Sequence, residues 1–570
     1  MYKKWMILAA LIIAGSAAVS FSGFDPFDEY GEIPYTIMIY MNGSDLESEW
    51  GAATDDLVEM LDSGLDSRNA NVLILTGGAL RWMNDAIPET EVIIWQLVDG
   101  EINELESMGK VNMGNPDTLR DFISYGLANF PARRHGLIMW DHGGGSIAGF
   151  GHDEKFNDAS LTLLDMQKAF EESGLRETNL EFLGFDACLM ATVEMAVLAA
   201  DYARVLIAAE DLEPADGWDY NFLSALNRNP HMDGFALGEI IVDTFIDYYG
   251  QDSDEILTLS VVDLSRVAPV MDTMGQLMAR ADILRFSDLA IRRAKTKTFG
   301  EGSPRDNYAD MVDIGDMAIQ LMDLYPREAE AVLHALENCV TYNRHNSDVE
   351  IFGLSTFYIY GGKSQGEPSL QTYSDLDMDA HYTDYLHDFF AKLIGRDFAH
   401  EHHEYVHTEL ALWRPLSELA GIFRLEGLLQ TETPGDFLWP QLNGRPVALF
   451  LITDNGHFRR YAIPVTVNGH EADIIVKFSQ NSPRGEVLGI RHQSGNVIQK
   501  GHAPIEPSDK IAIYYLERDF NTGRETWHLG EAFTISGPPQ LQWSPAPHTH
   551  RLGLRHTDIC CDTVYTWPKF

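Results

Sequence analysis

The stretch Gly136–Phe150, GLIMWDHGGGSIAGF, runs an apolar segment into an Asp-His pair followed by three consecutive glycines. Two chemistries end a strand this way: a phosphate-binding loop built from glycine amides, or a histidine held for catalysis at a strand end. A phosphate loop leads its glycines into a helix, usually through Lys and then Ser or Thr, so that amides and an ammonium cradle the anion. Here the glycines lead into SIAGFGHDEKFNDAS, Ser146–Ser160, which contains no Gly-Lys-Ser. The histidine reading is the better one. In a parallel sheet the active crevice lies outside the carboxyl ends of the strands, and that is where His142 falls.

The next apolar run, LEFLGFD (Leu180–Asp186), stops in the same manner and delivers Cys188 two residues later. His142 and Cys188 are 46 positions apart, room for one crossover helix between neighbouring strands. Leu189, Val193, Ala196 and Val197 recur at helical spacing, so Cys188 is expected to open a helix. A thiol there would feel the positive end of the helix dipole, and a neighbouring imidazole would favour the nucleophilic thiolate. Alone, either residue is more often structural; the pair at two strand ends points to nucleophilic chemistry.

Further strands are expected at YTIMIYM (Tyr35–Met41), NVLILTG (Asn71–Gly77), HGLIMWD (His135–Asp141), RVLIAAE (Arg204–Glu210), LTLSVVDL (Leu257–Leu264) and IFGLSTFYIYG (Ile351–Gly361). Amphipathic stretches such as Asp117–Asn129 separate them, the pattern of an α/β domain with a mainly parallel sheet. From about residue 409 the texture changes to VALFLIT, YAIPVTVNG, ADIIVKF and KIAIYYLE between Gly, Pro and Asn, which predicts an antiparallel β domain of sandwich type. The expected organisation is a signal peptide at 1–20, an α/β unit at 33–395, a linker at 396–408 and the β domain at 409–570. His400, His402, His403 and His407 read as an exposed polar linker, with metal binding the rarer use of such a cluster.

With 86 Asp plus Glu against 41 Lys plus Arg, the chain carries a formal charge of −45 and repels nucleic acid and anionic membrane surfaces. Hydrophobic residues at 45% exclude wholesale disorder. The start, MYKKWMILAALIIAGSAAVSFSG, places two lysines before a short apolar run and small residues; this is the order of an export signal, and the run falls short of a membrane span. A secreted, periplasmic or envelope location follows. Four cysteines, Cys188, Cys339, Cys560 and Cys561, are too few for a disulfide framework in a chain of this length.

LIMWDHGGG (Leu137–Gly145) and LGFDACLMATVEMA (Leu183–Ala196) resemble the histidine and cysteine motifs of the clostripain family of cysteine peptidases, and YMNGSDLE (Tyr40–Glu47), NMGNPDTLRDFI (Asn112–Ile123) and AAEDLEPADGWDY (Ala208–Tyr220) match in family order. The resemblance implies a caspase-like fold, a largely parallel sheet sandwiched by helices, with His142 and Cys188 as the catalytic dyad. It implies an oxyanion site made by the backbone N–H groups of Gly143 and Cys188, and cleavage after Arg or Lys directed by acidic residues. Asp186 matches the family's pocket acid; Asp216, Glu210 and Asp211 are further candidates. It also implies calcium dependence, with ligands that the sequence does not place, and self-cleavage, for which Lys155 is the only Lys or Arg between His142 and Met166. The expected partners are proteins or peptides bearing Arg or Lys before the scissile bond, with no organic cofactor and a monomeric chain. The rivals are a caspase-like peptidase of another residue preference and a catalytically silent surface-binding or adhesion protein.

Overall fold

The computed structural model describes residues 33–250, 256–300 and 309–394 without interruption and, between 405 and 566, a set of strands with the turns that join them. The signal segment 1–20, His400, His402, His403, Cys560 and Cys561 lie outside the described residues.

The α/β unit is built on β1 (Tyr35–Asn42), β2 (Ala70–Gly77), β3 (Val92–Val98), β4 (Glu101–Gly109), β5 (Arg134–Trp140), β6 (Phe150–Asp153), β7 (Ala159–Leu161), β8 (Phe182–Asp186), β9 (Val205–Ala208) and β10 (Thr258–Asp263). It is completed by β11 (Thr298–Phe299), β12 (Met311–Asp313), β13 (Val340–His345) and β14 (Ser355–Phe357). Nine of these form one sheet in the order β13-β10-β9-β8-β5-β1-β2-β3-β4. The five central strands, β2-β1-β5-β8-β9, run parallel, while β3, β4, β10 and β13 add antiparallel edges. The sheet is thus parallel at its centre, as the sequence led us to expect, and mixed as a whole.

Alternation along each strand sends side chains to two separate cores. Met38, Tyr40, Leu73, Leu75, Leu137 and Met139 pack on one face beneath the helices Pro116–Asn129, Leu163–Glu172 and Val267–Arg280. Ile37, Ile39, Met41, Ile74, Ile138 and Trp140 pack on the other beneath Ala52–Asp62 and Gly234–Tyr249. Helices on both faces leave the carboxyl edge of the central strands to be covered by loops, and the residues just beyond it are buried.

Two expectations need correcting. The run Ile351–Gly361 is strand only over Ser355–Phe357, because Gly353 adopts a φ of +86° that breaks the extended path. Cys188 does not open a helix. The helix begins at Val193, capped by the Thr192 side chain, which accepts the Met195 N–H; Cys188 lies in the preceding turn, where Leu189 takes a φ of +64°. No helix dipole acts on the thiol.

The carboxyl-terminal region is antiparallel throughout its described strands. Its largest sheet centres on Phe458–Val467, His470–Ser479 and Glu486–Ser494, with Ile463, Val465, Ile474, Val476, Ile490 and Ile511 in the core. Its first strand, Tyr405–Trp413, begins ahead of the expected boundary at 409 and carries His407. Trp50 of the α/β unit packs against this β core, and Val497–Ile498 runs beside β6. No helix among the described residues is long and apolar enough to cross a membrane.

Candidate active site

Register brings the site together. Trp140 of β5 stands opposite Asp186 of β8 and Met41 of β1, so the chain leaves all three strands at one level of the rim. Beyond that level come Asn42–Asp45 from β1, Asp141–His142 from β5 and Ala187–Cys188 from β8.

Asp141 ties these ends together. Its Oδ1 accepts the Ser44 hydroxyl and the His142 N–H, each at 2.7 Å; its Oδ2 accepts the Asn42 amide and the His152 N–H, the latter at 2.9 Å. Burial pushes its carboxyl up to about 7, against the pull of His152 and of these hydrogen bonds. Gly151 fits here at a φ of +66° because a Cβ would lie 2.7 Å from Asp141 Oδ2.

His142 is buried, and its Nε2 lies 2.7 Å from Asp45 Oδ1. His152 Nε2 lies 3.4 Å from the same oxygen, and the two imidazoles stack with centroids 5.3 Å apart and planes 5° from parallel. Burial opposes the charge of Asp45, but the neighbouring His142 and His152 and the His142 hydrogen bond outweigh it and hold this carboxyl well below the usual range.

Cys188 is fully buried in its turn, and its Sγ accepts the Glu213 N–H at 3.2 Å. The loop after β9 lines this turn: Leu189 N–H donates to Asp211 O and Ala191 N–H to Ala209 O. Gly143 abuts the cysteine directly, since a Cβ there would lie 1.8 Å from Cys188 O and 3.0 Å from Cys188 N. The hydrogen bonds that close the loop run from Gly144 N–H to Gly149 O and from Gly151 N–H to His142 O, and neither uses the Gly143 amide. Gly143→Ala is therefore expected to cost roughly 1–3 kcal/mol by overpacking, read as a lowered denaturant midpoint; an unchanged midpoint would mean that the two loops do not press on each other.

Asp186 ends β8 buried, accepting the Trp218 N–H and the Tyr220 hydroxyl on Oδ2, each at 3.1 Å, with Gly217 against both of its oxygens. Glu213 is buried beside it, its carboxylate 3.3 Å from the Trp218 indole nitrogen. Asp216 is exposed next to Tyr248 and Tyr249. Glu210 and Asp211 are engaged elsewhere. Glu210 accepts the Gly353 N–H and is pushed far up by burial and by Asp313, and Asp211 accepts the N–H groups of Leu212 and Gly300. Lys155 sits half-buried in a single 3-10 turn, its backbone N–H on Asp153 and its ammonium on Glu89 O.

Three residues escaped the sequence reading: Asp45, His152 and Glu213. Asp45 lies inside a stretch singled out above, and the strand-end criterion that found His142 applies equally to the end of β1. His152 and Glu213 give no comparable signal, because only the fold of their loops brings them to the rim.

Calcium takes about six to eight oxygen ligands. Among the described residues the group of His, Cys, Asp or Glu placed to hold an ion is Asp45, His142 and His152, which offers one carboxylate and two imidazoles and does not fit calcium. Cys339, the other described cysteine, is buried, and burial pushes its thiol up to about 12.

The sequence profile of the clostripain family matches residues 39–402. Clostripain of Hathewaya histolytica is 28% identical over 196 residues, 28% of this chain and 35% of the relative, so the chain spans about a third of that curated relative. Among solved structures, an inactive zymogen C11 protease from Parabacteroides distasonis is 20% identical with a TM-score of 0.48, covering 61% of this chain and 99% of its own. A secreted C11 cysteine protease from Bacteroides thetaiotaomicron, in complex with an irreversible peptide inhibitor, is 15% identical with a TM-score of 0.46, covering 60% and 98%.

Proposed function

The chain belongs to the clostripain family of cysteine peptidases, and on that premise we propose that it is an exported endopeptidase that cleaves after Arg or Lys with Cys188 as nucleophile and His142 as its base. One observation supports this most strongly: β5 and β8 pair in parallel with Trp140 opposite Asp186, which sets the His142 and Cys188 loops side by side with Gly143 against the cysteine backbone.

With Nε2 of His142 donating its proton to Asp45, Nδ1 is the basic nitrogen and serves the thiol. It takes the thiol proton as Sγ attacks the scissile carbonyl carbon. The negative charge that develops on the carbonyl oxygen is met by the N–H groups of Gly143 and Cys188. Collapse breaks the C–N bond, and the leaving amine takes the proton from His142. Water then enters, His142 removes its proton, and hydroxide attack on the thioester carbon releases the carboxylate and restores the thiol. Asp45 orients the ring, and Glu213 N–H, donating to Sγ, favours the thiolate that a helix dipole was expected to favour. No step is routed through calcium. The pocket anion is Asp186, held at the rim by Trp218 and Tyr220 and flanked by Glu213.

The test is hydrolysis of short fluorogenic peptides with Arg, Lys, Asp or Ala before the scissile bond, with and without calcium. Cleavage confined to Arg and Lys peptides is expected; cleavage after Asp or Ala alone would establish the rival preference, and labelling of Cys188 by no substrate-like alkylator would favour a binding protein.

Self-processing at Lys155 belongs to the same proposal. The Lys155–Phe156 bond lies in a 3-10 turn, so an incoming active site must first unwind it. Lys155→Ala is expected to leave the chain as a single band where wild type yields two fragments. Unchanged fragments on the gel would place the cut elsewhere.

A further inference from the structure

We propose that Asp45, His142 and His152 form an inhibitory site for a transition-metal dication of the zinc type. The three ligands arrive from separate elements: the short helix Ser44–Ser48 after β1, the loop after β5 and strand β6. All three are buried, and their ligand atoms lie within 4.8 Å of one another. The near-parallel stacking of the rings turns both Nε2 atoms towards one oxygen, Asp45 Oδ1, at 2.7 and 3.4 Å. A tetrahedral ion with ligands at about 2.0–2.2 Å needs them about 3.3–3.6 Å apart. The His152 separation has that value already, the His142 separation has to open by about 0.6–0.9 Å, and the two imidazole nitrogens, within 4.8 Å of each other, have to reach the same spacing. Two imidazoles and one carboxylate suit zinc and its first-row neighbours and leave a fourth position open. The site brings one carboxylate to the ion.

Inhibition follows from counting protons on one ring. Neutral imidazole carries a single N–H. An ion on Nε2 needs that nitrogen's lone pair, so the proton resides on Nδ1, where it blocks the position that takes the proton from Cys188. The proton moves within the ring, the ion replaces the Nε2–H···Asp45 bond, and the base is lost without oxidation or reduction. This inhibitory half rests on His142 being the base; the site itself does not.

Binding is measured on the full chain carrying Cys188→Ala, which removes the thiolate as a rival ligand. Equilibrium dialysis against zinc chloride alone is expected to show one tight site that a further His152→Gln weakens at least about tenfold. Asp45→Asn, which keeps the side-chain shape, does the same. Calcium in large excess leaves zinc bound, and cobalt(II) gives the d–d absorption of a tetrahedral site in the parent and not in the His152→Gln protein. Other histidines of the chain are common to all three proteins and cancel in the comparison. In wild type, zinc abolishes peptide hydrolysis and a chelator restores it. Coincident zinc isotherms for all three proteins overturn the site, whatever the peptidase does. Differing isotherms in a protein that cleaves no peptide uphold the site and remove the proposed function.

Discussion

Cys188→Ala is expected to lower peptide hydrolysis by about 10⁴-fold or more, to background, while the fold persists. The substitution removes one sulfur from a fully buried position and adds nothing, so it introduces no clash. It takes from the folded state the acceptor of the buried Glu213 N–H and the packing of one core sulfur, at a cost of about 1–3 kcal/mol. The midpoint of unfolding is therefore expected to fall while the folded state persists. His142→Ala is expected to reach a similar loss of activity, and the double variant loses no more than either single one, because in the proposed mechanism thiol and base act as a unit. The two single variants separate on alkylation. Without His142 the thiol stays but lacks the group that takes its proton, so a neutral alkylator labels it slowly; without the thiol there is no labelling. A Cys188→Ala protein that still cleaves at more than about one percent of wild type would leave the dyad without its nucleophile, whatever the register of β5 and β8.

The strand ends that carry His142 and Cys188 are what the sequence reading reached, because short, wholly apolar strands covered on both faces leave a clear trace; the β5–β8 register came only from the structure. β1, β2 and β5 match their expected limits to within a residue and β8 to within two, and the shared level of His142 and Cys188 follows once β5 and β8 are neighbours. The hairpin β3–β4 went unread. Its second strand, EINELESMG, is largely exposed and polar, although Asp99-Gly100, both at positive φ, is the two-residue turn such hairpins favour. The misplaced helix at Cys188 has a different cause. Leu189 and Val193 keep helical spacing, but burial of the Leu189 side chain is achieved from a turn at φ +64°, and the true start is marked by Thr192, a capping residue that periodicity ignores. His152 was beyond reach for a third reason: its importance lies in a ring stack on His142 and an oxygen shared with it, relations between loops that no local pattern encodes, whereas Asp45 follows the end of β1, where the strand-end criterion applies.

Asp186→Asn is expected to lower kcat/KM for Arg peptides by roughly 10²–10³-fold, with a change of a few-fold at most for an Ala peptide. The substitution keeps shape and keeps an oxygen to accept the Trp218 N–H and the Tyr220 hydroxyl, so the pocket wall stands; only the negative charge goes. A guanidinium drawn into a pocket without its anion remains desolvated and unpaired, and losing one member of a buried pair costs about 2–5 kcal/mol. The same reasoning makes Asp186→Ala a poorer test, since it also strips two buried donors of their acceptor and confuses specificity with folding. Glu213 provides the competing outcome. It lies on the Trp218 indole and its own N–H supports Cys188, so it is the other carboxylate near the nucleophile that could receive a cation. Should Asp186→Asn retain Arg selectivity while Glu213→Gln loses it, the pocket anion is Glu213. Should both retain it, the preference for basic residues has no anion in this rim, and the enzyme selects its substrates by another residue.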